Sequence, residues 1–116
     1  MAWFHGVNIN ENITLREGTS CKWNFSLKQT CPVSLYVAQI DGYGIDIYVM
    51  TTDEYRNFSR GKAFRYLSGL GYENVGSFEN TVNVPAGNYC LVATLGQIRE
   101  GMDSYAVAAV RCETLE

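Results

Sequence analysis

The stretch that decides the fold runs from residue 45 to residue 95. It contains IDIYVMT (45–51), DEYRNFSRG (53–61) and, after an aromatic segment, SFENTVNVPAGNYCLVATL (77–95). Apolar side chains alternate with polar ones in the first and last of these pieces, and turn-forming residues separate them. This pattern is typical of strands that bury one face of a sheet. The stretch predicts a kind of fold, and it names no reaction.

The alternation continues towards the amino terminus. The clearest strand covers residues 21–27, where its inward positions are Cys21, Trp23, Phe25 and Leu27. Shorter strands are predicted at 3–9 and 12–16, followed by a turn at 17–19. Residues 33–40 are apolar on both faces, as expected of a central strand that is covered on both sides or lies at an interface. The glycines on either side of Tyr43 predict a hairpin that pairs this strand with residues 45–50.

The spacing of apolar residues changes from that of a strand to that of a helix after residues 45–50. Thr51 and Glu54 have the spacing of a capping box, in which the hydroxyl and the carboxylate each accept a backbone N–H. We expect one or two helical turns that carry Tyr55 and Phe58 inward, and Gly61 is placed to end them.

The carboxyl-terminal half returns to strands. They are predicted at residues 62–67, 78–84, 89–95 and 104–112, with a loop at 68–71, a tight turn at 85–88 and an exposed loop at 96–103. The tight turn is expected to pair the strands on its two sides, and the last two strands are expected to pair as well. The whole pattern predicts an all-β, antiparallel β-sandwich. It has about eight strands and one short helical turn near 52–60, in a single domain at 1–116.

Composition excludes several classes of protein. Of the 116 residues, 47% are hydrophobic and 18% charged, so the chain can bury a core. The formal charge of -3 and the scatter of its Lys and Arg residues argue against a nucleic-acid partner. No apolar run reaches the ~20 residues of a membrane-spanning helix, and the start, MAWFHGVNINEN, lacks the pattern of a secretory signal. We therefore expect a soluble, cytoplasmic protein, or an extracellular one if a signal peptide was removed.

The run DIYVMTTDEYRNFSRGKAF (46–64) and the later VPAGNYCLVATL (84–95) resemble the second half of GOLD-type β-sandwich domains and of the similar prepeptidase C-terminal domains. The resemblance lies mainly over residues 45–95. The resemblance implies that the sandwich is of jelly-roll or GOLD-like type and that the domain binds partners without catalysing a reaction. Secretory-pathway members carry a cysteine three residues after the equivalent of Tyr89, whereas here Cys90 follows directly. Sorting of cargo at membranes is therefore not implied.

The four cysteines, Cys21, Cys31, Cys90 and Cys112, predict no cofactor. There is no C-x-x-C pair and only one histidine, His5, so a metal site is not expected. Buried free thiols are favoured, since a chain that is not exported keeps cysteine reduced. A Cys90–Cys112 disulfide stays open as an alternative, because the two residues lie on strands that we expect to pair. The acidic residues between Asp41 and Glu54 do not follow the spacing of a calcium loop.

No catalytic motif is present: Cys31 and His5 form no oriented nucleophile and base, so we expect no enzyme. Aromatic residues are the remaining indication of function. Four tyrosines fall in or beside the predicted loops and are candidate ligand- or partner-binding residues: Tyr43, Tyr55, Tyr66 and Tyr72. The alternative is that they cover the open end of the sandwich.

We expect a noncatalytic protein-interaction or assembly module. Its partner is another protein or a second copy of the chain, as a homodimer formed through the apolar segments 33–40 and 106–110. The alternative is a sandwich that binds a carbohydrate or another small ligand. An aromatic row flanked by Asn, Asp or Gln would favour sugar, and an apolar sheet edge or face would favour self-association.

Overall fold

The computed structural model describes residues 7–17, 19–95 and 105–114. In these ranges the chain forms two antiparallel four-stranded sheets, with the order β1-β8-β3-β6 in one, the front sheet, and β2-β7-β4-β5 in the other, the back sheet. The elements are β1 (Asn8–Arg16), β2 (Ser20–Leu27), β3 (Cys31–Gly42), β4 (Ile45–Thr51), α1 (Thr52–Ser59), β5 (Gly71–Val75), β6 (Ser77–Val84), β7 (Gly87–Leu95) and β8 (Tyr105–Thr114). The predicted antiparallel β-sandwich is confirmed, and its strand order is that of a jelly roll.

The strand order corrects three predicted pairings. β3 does not pair with β4, β6 does not pair with β7, and β7 does not pair with β8, because the members of each pair lie in opposite sheets. Only β4 and β5 are both consecutive in the described chain and hydrogen-bonded to each other. The turns that the sequence predicted as hairpins are instead crossovers between the sheets. A turn motif specifies that the chain reverses, and the packing of apolar faces decides which sheet the next strand joins.

The β3–β4 crossover depends on Gly42. Its φ of 75° lies in the left-handed region, and a Cβ atom there would lie 2.3 Å from the carbonyl oxygen of Tyr105. The next residue, Tyr43, donates its N–H to that same oxygen at 2.9 Å. The glycine therefore lets the chain pass close to the start of β8 as it leaves the front sheet.

Strand β3 is central, but only one of its faces is buried. Val33, Leu35 and Val37 point into the sandwich, while the alternate residues are half-buried on the outside. The register with β8 shifts between Gln39 and Asp41, so Ile40 is the extra residue of a bulge and is 57% exposed. Of the two alternatives for residues 33–40, cover on both sides within the chain is therefore wrong for the outer face, and a position at an interface stays a prediction.

Three other boundaries differ from the predictions. β1 is one continuous strand instead of two short ones, and the part of the first prediction that covers residues 3–6 lies outside the described residues. Residues 62–67 form no strand. In the predicted flexible loop at 68–71, Leu70 is fully buried and its carbonyl accepts the N–H of Val49 at 2.9 Å. The apolar side chain of Leu70 fixes this turn against the sandwich.

Helix α1 begins and ends close to where the sequence predicts. The hydroxyl of Thr51 accepts the N–H of Glu54 at 3.2 Å. After Arg60, Gly61 adopts a φ of 70° and the N–H of Lys62 reaches the carbonyl of Asn57 at 2.9 Å. This is the arrangement of a helix end that needs a left-handed glycine.

The main core lies between the sheets, and its fully buried side chains come from both of them. They include Leu15, Val33, Leu35, Ile45, Ile47, Val49, Leu91 and Val110. One side of the sandwich is closed by the indole N–H of Trp23, which donates to the carboxylate of Glu11. On the opposite side, Tyr72 packs on Phe78 with 5.5 Å between ring centroids. These contacts connect the edge strands of the two sheets.

Candidate functional site

The outward face of the front sheet, here called the front face, brings together residues that are far apart in sequence. Its strands are paired in register, so side chains on neighbouring strands form rows across the sheet. One row at the centre of the face joins Arg111 of β8 to Tyr36 of β3, and Tyr36 to Glu79 of β6. Within the described residues, no element packs over this face.

This central row surrounds a shallow depression. The guanidinium carbon of Arg111 lies 5.5 Å from the centroid of the Tyr36 ring, as in a cation–π contact. The depression has a volume of about 290 Å³, and Ser34, Glu79 and Glu113 complete its lining. The depression is therefore lined by one basic side chain, one aromatic ring and two carboxylates, of which Glu79 belongs to the central row and Glu113 to the neighbouring row of Ser34.

The next row along the strands is made of small side chains. Ala38 of β3 lies between Ala109 of β8 and Ser77 of β6. Beyond it, Val107 is half-buried on the same face, and the hydroxyl of Tyr105 donates to the carboxylate of Asp41 at 3.1 Å. The edge strand β1 adds a polar border of asparagines at Asn8, Asn10 and Asn12.

Two apolar segments that the sequence marks for self-association meet on this face. Strands β3 and β8 pair side by side, so the outward residues of 33–40 and 106–110 form one continuous surface. The inward residues of both segments, such as Leu35 and Ala108, belong to the core. The apolar area exposed on the front face is therefore smaller than the sequence suggests.

The outward face of the back sheet is covered. Tyr48, Met50, Cys90 and Val92 form a second apolar cluster, and Tyr55, Phe58 and Phe64 pack against it from α1 and the segment that follows. Residues 52–67, here called the cover, thus shield this face. Lys22 of β2 contacts helix α1 of the cover, with its Nζ 4.4 Å from the centroid of the Tyr55 ring.

Glu54 fixes the cover internally. Its carboxylate does not complete the predicted capping box but accepts the N–H of Arg65 at 3.2 Å and the side-chain amide of Asn57 at 3.2 Å. The first of these bonds joins the start of α1 to the extended segment after it. At the end of that segment, the N–H of Leu67 donates to the carbonyl of Val49 at 2.8 Å and ties the cover to β4.

The four candidate tyrosines do not form one site. Tyr43 packs on the main core at the β3–β4 crossover, and Tyr55 lies inside the cover. Tyr66 is 44% exposed and packs on Tyr48, with 5.0 Å between ring centroids, on the outward side of the back sheet. Tyr72 is 55% exposed and packs on Phe78 at the sandwich edge. Their predicted role in binding stays a prediction.

A polar group next to Tyr66 consists of Tyr48, Glu73 and Asp46. The hydroxyl of Tyr48 donates to Glu73 at 3.1 Å, and burial followed by the nearby charge of Asp46 raises the pKa of that phenol. Asp46 accepts the N–H of Asn74 at 2.7 Å, where Asn74 occupies a bulge of β5 with a φ of 51°. Burial, and then the charge of Glu73, raises the pKa of Asp46. Asp46 therefore supports the bulge, and the charge it carries is partly desolvated.

The cysteines lie in different layers. None of the four forms a disulfide, and Cys21 is the one that is not fully buried. Cys90 belongs to the outer cluster of the back sheet, where its thiol donates to the side-chain oxygen of Asn24 at 3.1 Å, while Cys112 lies in the core between the sheets. The alternative of a Cys90–Cys112 disulfide depended on pairing β7 with β8, and that pairing is wrong.

Within the described ranges, no group of three or more His, Cys, Asp or Glu side chains could hold a metal ion. Cys31 is buried in the core, and His5 lies outside the described residues. No helix in the described part of the chain has the length and apolar character needed to cross a membrane.

The front face depends on the pairing of β3 with β6 and β8, and so sequence reasoning did not find its central row. Glu79 lies 43 positions and Arg111 75 positions after Tyr36 in the sequence, and no motif links the three residues. The only local signal is that each one occupies an outward position of its strand. Alternation marks these side chains as solvent-facing, and the strand order alone makes them neighbours.

Comparison with known proteins identifies the class of fold. The chain is similar to the crystal structure of the pre-peptidase C-terminal domain of a collagenase from Bacillus anthracis, with a TM-score of 0.63 and 15% sequence identity over 91% of this chain and 89% of that one. No family model matches the sequence, and a search of curated proteins finds no match. At this identity the likeness shows the β-sandwich fold, and it does not distinguish the GOLD type.

Proposed function

We propose that the chain is a noncatalytic protein-interaction or assembly domain that binds its partner through the front face. The observation that carries this proposal is the contrast between the two outer faces. The back sheet is shielded by its own cover, whereas the front face presents Tyr36 and Arg111 at its centre. Tyrosine and arginine are residue types that contribute strongly to the energy of protein interfaces.

The charges on this face suit a protein surface better than a sugar. A sugar ring stacks on the open face of an aromatic side chain, but the Arg111 guanidinium already lies over Tyr36. The flanking carboxylates, Glu79 and Glu113, provide the polar rim that a protein interface uses for specificity. The likeness to a pre-peptidase C-terminal domain supports the sandwich class, and membership of the GOLD type stays a prediction from residues 45–95.

Site-specific photocross-linking tests the proposal in cells that make the protein. A photoreactive residue replaces Ser77 on the front face or, as the control, Ser59 at the end of α1. We expect a discrete protein adduct from position 77, lost when Tyr36→Ala is added, and none of that mass from position 59. Equal adducts at both positions, or an adduct at 77 that is unaffected by Tyr36→Ala, would contradict the proposal.

A second candidate function is carbohydrate or small-ligand binding at Tyr66. The observation in its favour is that this exposed ring lies beside the Tyr48 hydroxyl and its acceptor Glu73. Glycan-array binding that is lost in Tyr66→Ala and kept in Tyr36→Ala would support this candidate over the first.

We also propose that the domain has no catalytic activity. It rests on the lack of a nucleophile–base motif in the sequence and on the burial of Cys31 in the core. Turnover in a broad hydrolase screen that is abolished by changing His5 or Cys31 would overturn it.

A further inference from the structure

We propose that the occupant of the front face is a second copy of this chain, related to the first by a two-fold axis that runs along β3. This inference rests on the proposed function, because it assigns the partner of the same surface. Its basis is the order of charges across the central row.

The central row is self-complementary. Arg111 and Glu79 are the cross-strand neighbours of Tyr36 on its two sides, so each lies one strand spacing, about 4.8 Å, from β3. A two-fold axis between two facing sheets and along β3 exchanges the positions of β8 and β6. Arg111 of one copy then faces Glu79 of the partner subunit, and Glu79 faces Arg111 of the partner subunit. Two such charge pairs form around a central contact between the two Tyr36 side chains.

The neighbouring rows fit the same axis. In the small-residue row, Ala38 meets its own counterpart, and Ala109 faces Ser77 of the partner subunit. Small side chains at this point allow two sheets to approach to about 10 Å, the usual spacing of packed sheets. In the row on the other side of Tyr36, Glu113 faces the hydroxyl of Thr81, which can donate to it. The axis therefore opposes no like charges in these three rows.

The size of the surface sets the expected affinity. The axis along β3 places β8, β3 and β6 opposite strands of the second copy and leaves β1 without a facing strand. Three strands about 4.8 Å apart and about nine residues long give an overlap of roughly 430 Å² per copy, the size of a weak, transient interface. We expect a dimer that dissociates in the micromolar range and weakens as salt screens the charge pairs.

Charge reversal and charge exchange test the inference. Arg111→Glu places two Glu–Glu contacts across the axis, and Glu79→Arg places two Arg–Arg contacts. Either change should weaken self-association roughly 100-fold. An equimolar mixture of the two variants should form a heterodimer, because each Glu then meets an Arg, and the double variant Arg111→Glu with Glu79→Arg should regain the homodimer. Arg56→Glu, on the exposed side of α1, is the matched control and should dimerise normally.

Sedimentation velocity and light scattering provide the readout, and circular dichroism checks that each variant is folded. A mass twice 13.0 kDa at high concentration, with the pattern above, is the expected result. A wild-type mass that stays at 13.0 kDa when the sample is concentrated would overturn the dimer. Dimers that persist in both single variants, or a mixture that fails to associate, would overturn the axis.

The cross-linking experiment distinguishes this inference from the proposed function. If the wild type is monomeric and position 77 still cross-links another protein, this inference fails and the proposed function stands. If position 77 gives no adduct, the proposed function fails as well.

Discussion

Individual residues in this fold are constrained mainly where two layers of the sandwich approach each other. Gly42 and Gly61 both adopt left-handed backbone conformations, with φ of 75° and 70°. At Gly42 a Cβ would meet the backbone oxygen of Tyr105, while at Gly61 nothing lies within 4 Å. An added side chain at Gly61 therefore carries only the free-energy cost of the left-handed conformation, whereas one at Gly42 also carries the cost of a steric clash.

Alanine substitutions at these glycines should differ in their effect on the free energy of unfolding. Gly61→Ala should cost about 1 kcal/mol, from the left-handed conformation alone. Gly42→Ala should cost about 3 kcal/mol or more, because the β3–β4 crossover must also move away from β8. Urea denaturation of both variants measures the difference. Equal losses would show that the crossover relaxes freely around a methyl group.

The thiols should differ in reactivity in the native protein. Only the thiolate reacts rapidly, and burial raises the pKa of Cys112 to about 12, so Cys112 should be the slowest to be alkylated at pH 8. Cys21, the least buried, should react first even though burial also raises its pKa. Peptide mass spectrometry over time gives the order. After unfolding without reductant all four cysteines should be modified, and two disulfides would contradict the expectation of free thiols.

Asp46 should make stability depend on pH. Its folded-state pKa is raised from the model-compound value of 3.8, so the folded protein binds this proton more tightly than the unfolded chain does. Its ionisation therefore leaves the free energy of unfolding unchanged below about pH 4 and lowers that free energy as the pH rises through the folded-state pKa. Asp46→Asn keeps an oxygen for the Asn74 N–H and removes the charge. Its effect on the free energy of unfolding should be more favourable at pH 7 than at pH 3, and an effect that does not change with pH would contradict this assignment.

At the scale of elements, few polar contacts connect the cover to the sandwich. Helix α1 has no fully buried residue of its own. It is held by the Thr51 cap, by the bond from the Arg65 N–H to Glu54, and by the contact of Lys22 with Tyr55. The cover should therefore open locally at a lower free energy than the sandwich unfolds.

Removing the Glu54 anchor should expose the outer cluster of the back sheet. Glu54→Ala should increase the alkylation rate of Cys90 severalfold, since Cys90 lies beneath the cover, and leave that of Cys112 unchanged. Asp53→Ala, at the exposed neighbouring position, is the matched control. A parallel increase at Cys90 and Cys112 would mean that the whole protein is destabilised and that the cover does not open separately.

At the scale of the whole molecule, a jelly roll is built almost entirely from contacts between distant segments. Among the described strands, β4 and β5 are the only consecutive strands that pair, and even they are separated by α1, while β1 pairs with β8. Forming such pairs costs loop-closure entropy before the core is complete.

Refolding should accordingly take milliseconds to seconds, the range of all-β domains with non-local pairing. Stopped-flow fluorescence of a Trp3→Phe variant, in which the one remaining tryptophan is Trp23, can follow this assembly, because Trp23 joins β2 to β1 through Glu11. Microsecond refolding would show that local structure carries more of the fold than the strand order implies.

The sequence by itself determined most of the strands, the helix and the class of fold, because these depend on local patterns. It predicted a strand at 62–67 where none forms, and it did not predict β5. Alternation placed β2, β4 and β6 within one or two residues of their observed bounds, and Thr51 and Gly61 located the ends of α1. The strand order was decided only by the tertiary structure. A turn such as 85–88 has the same residues whether it joins paired strands or crosses between sheets, and burial of both sheets against one core selects the second. The row of Arg111, Tyr36 and Glu79 exists only because that selection places β8 and β6 on either side of β3.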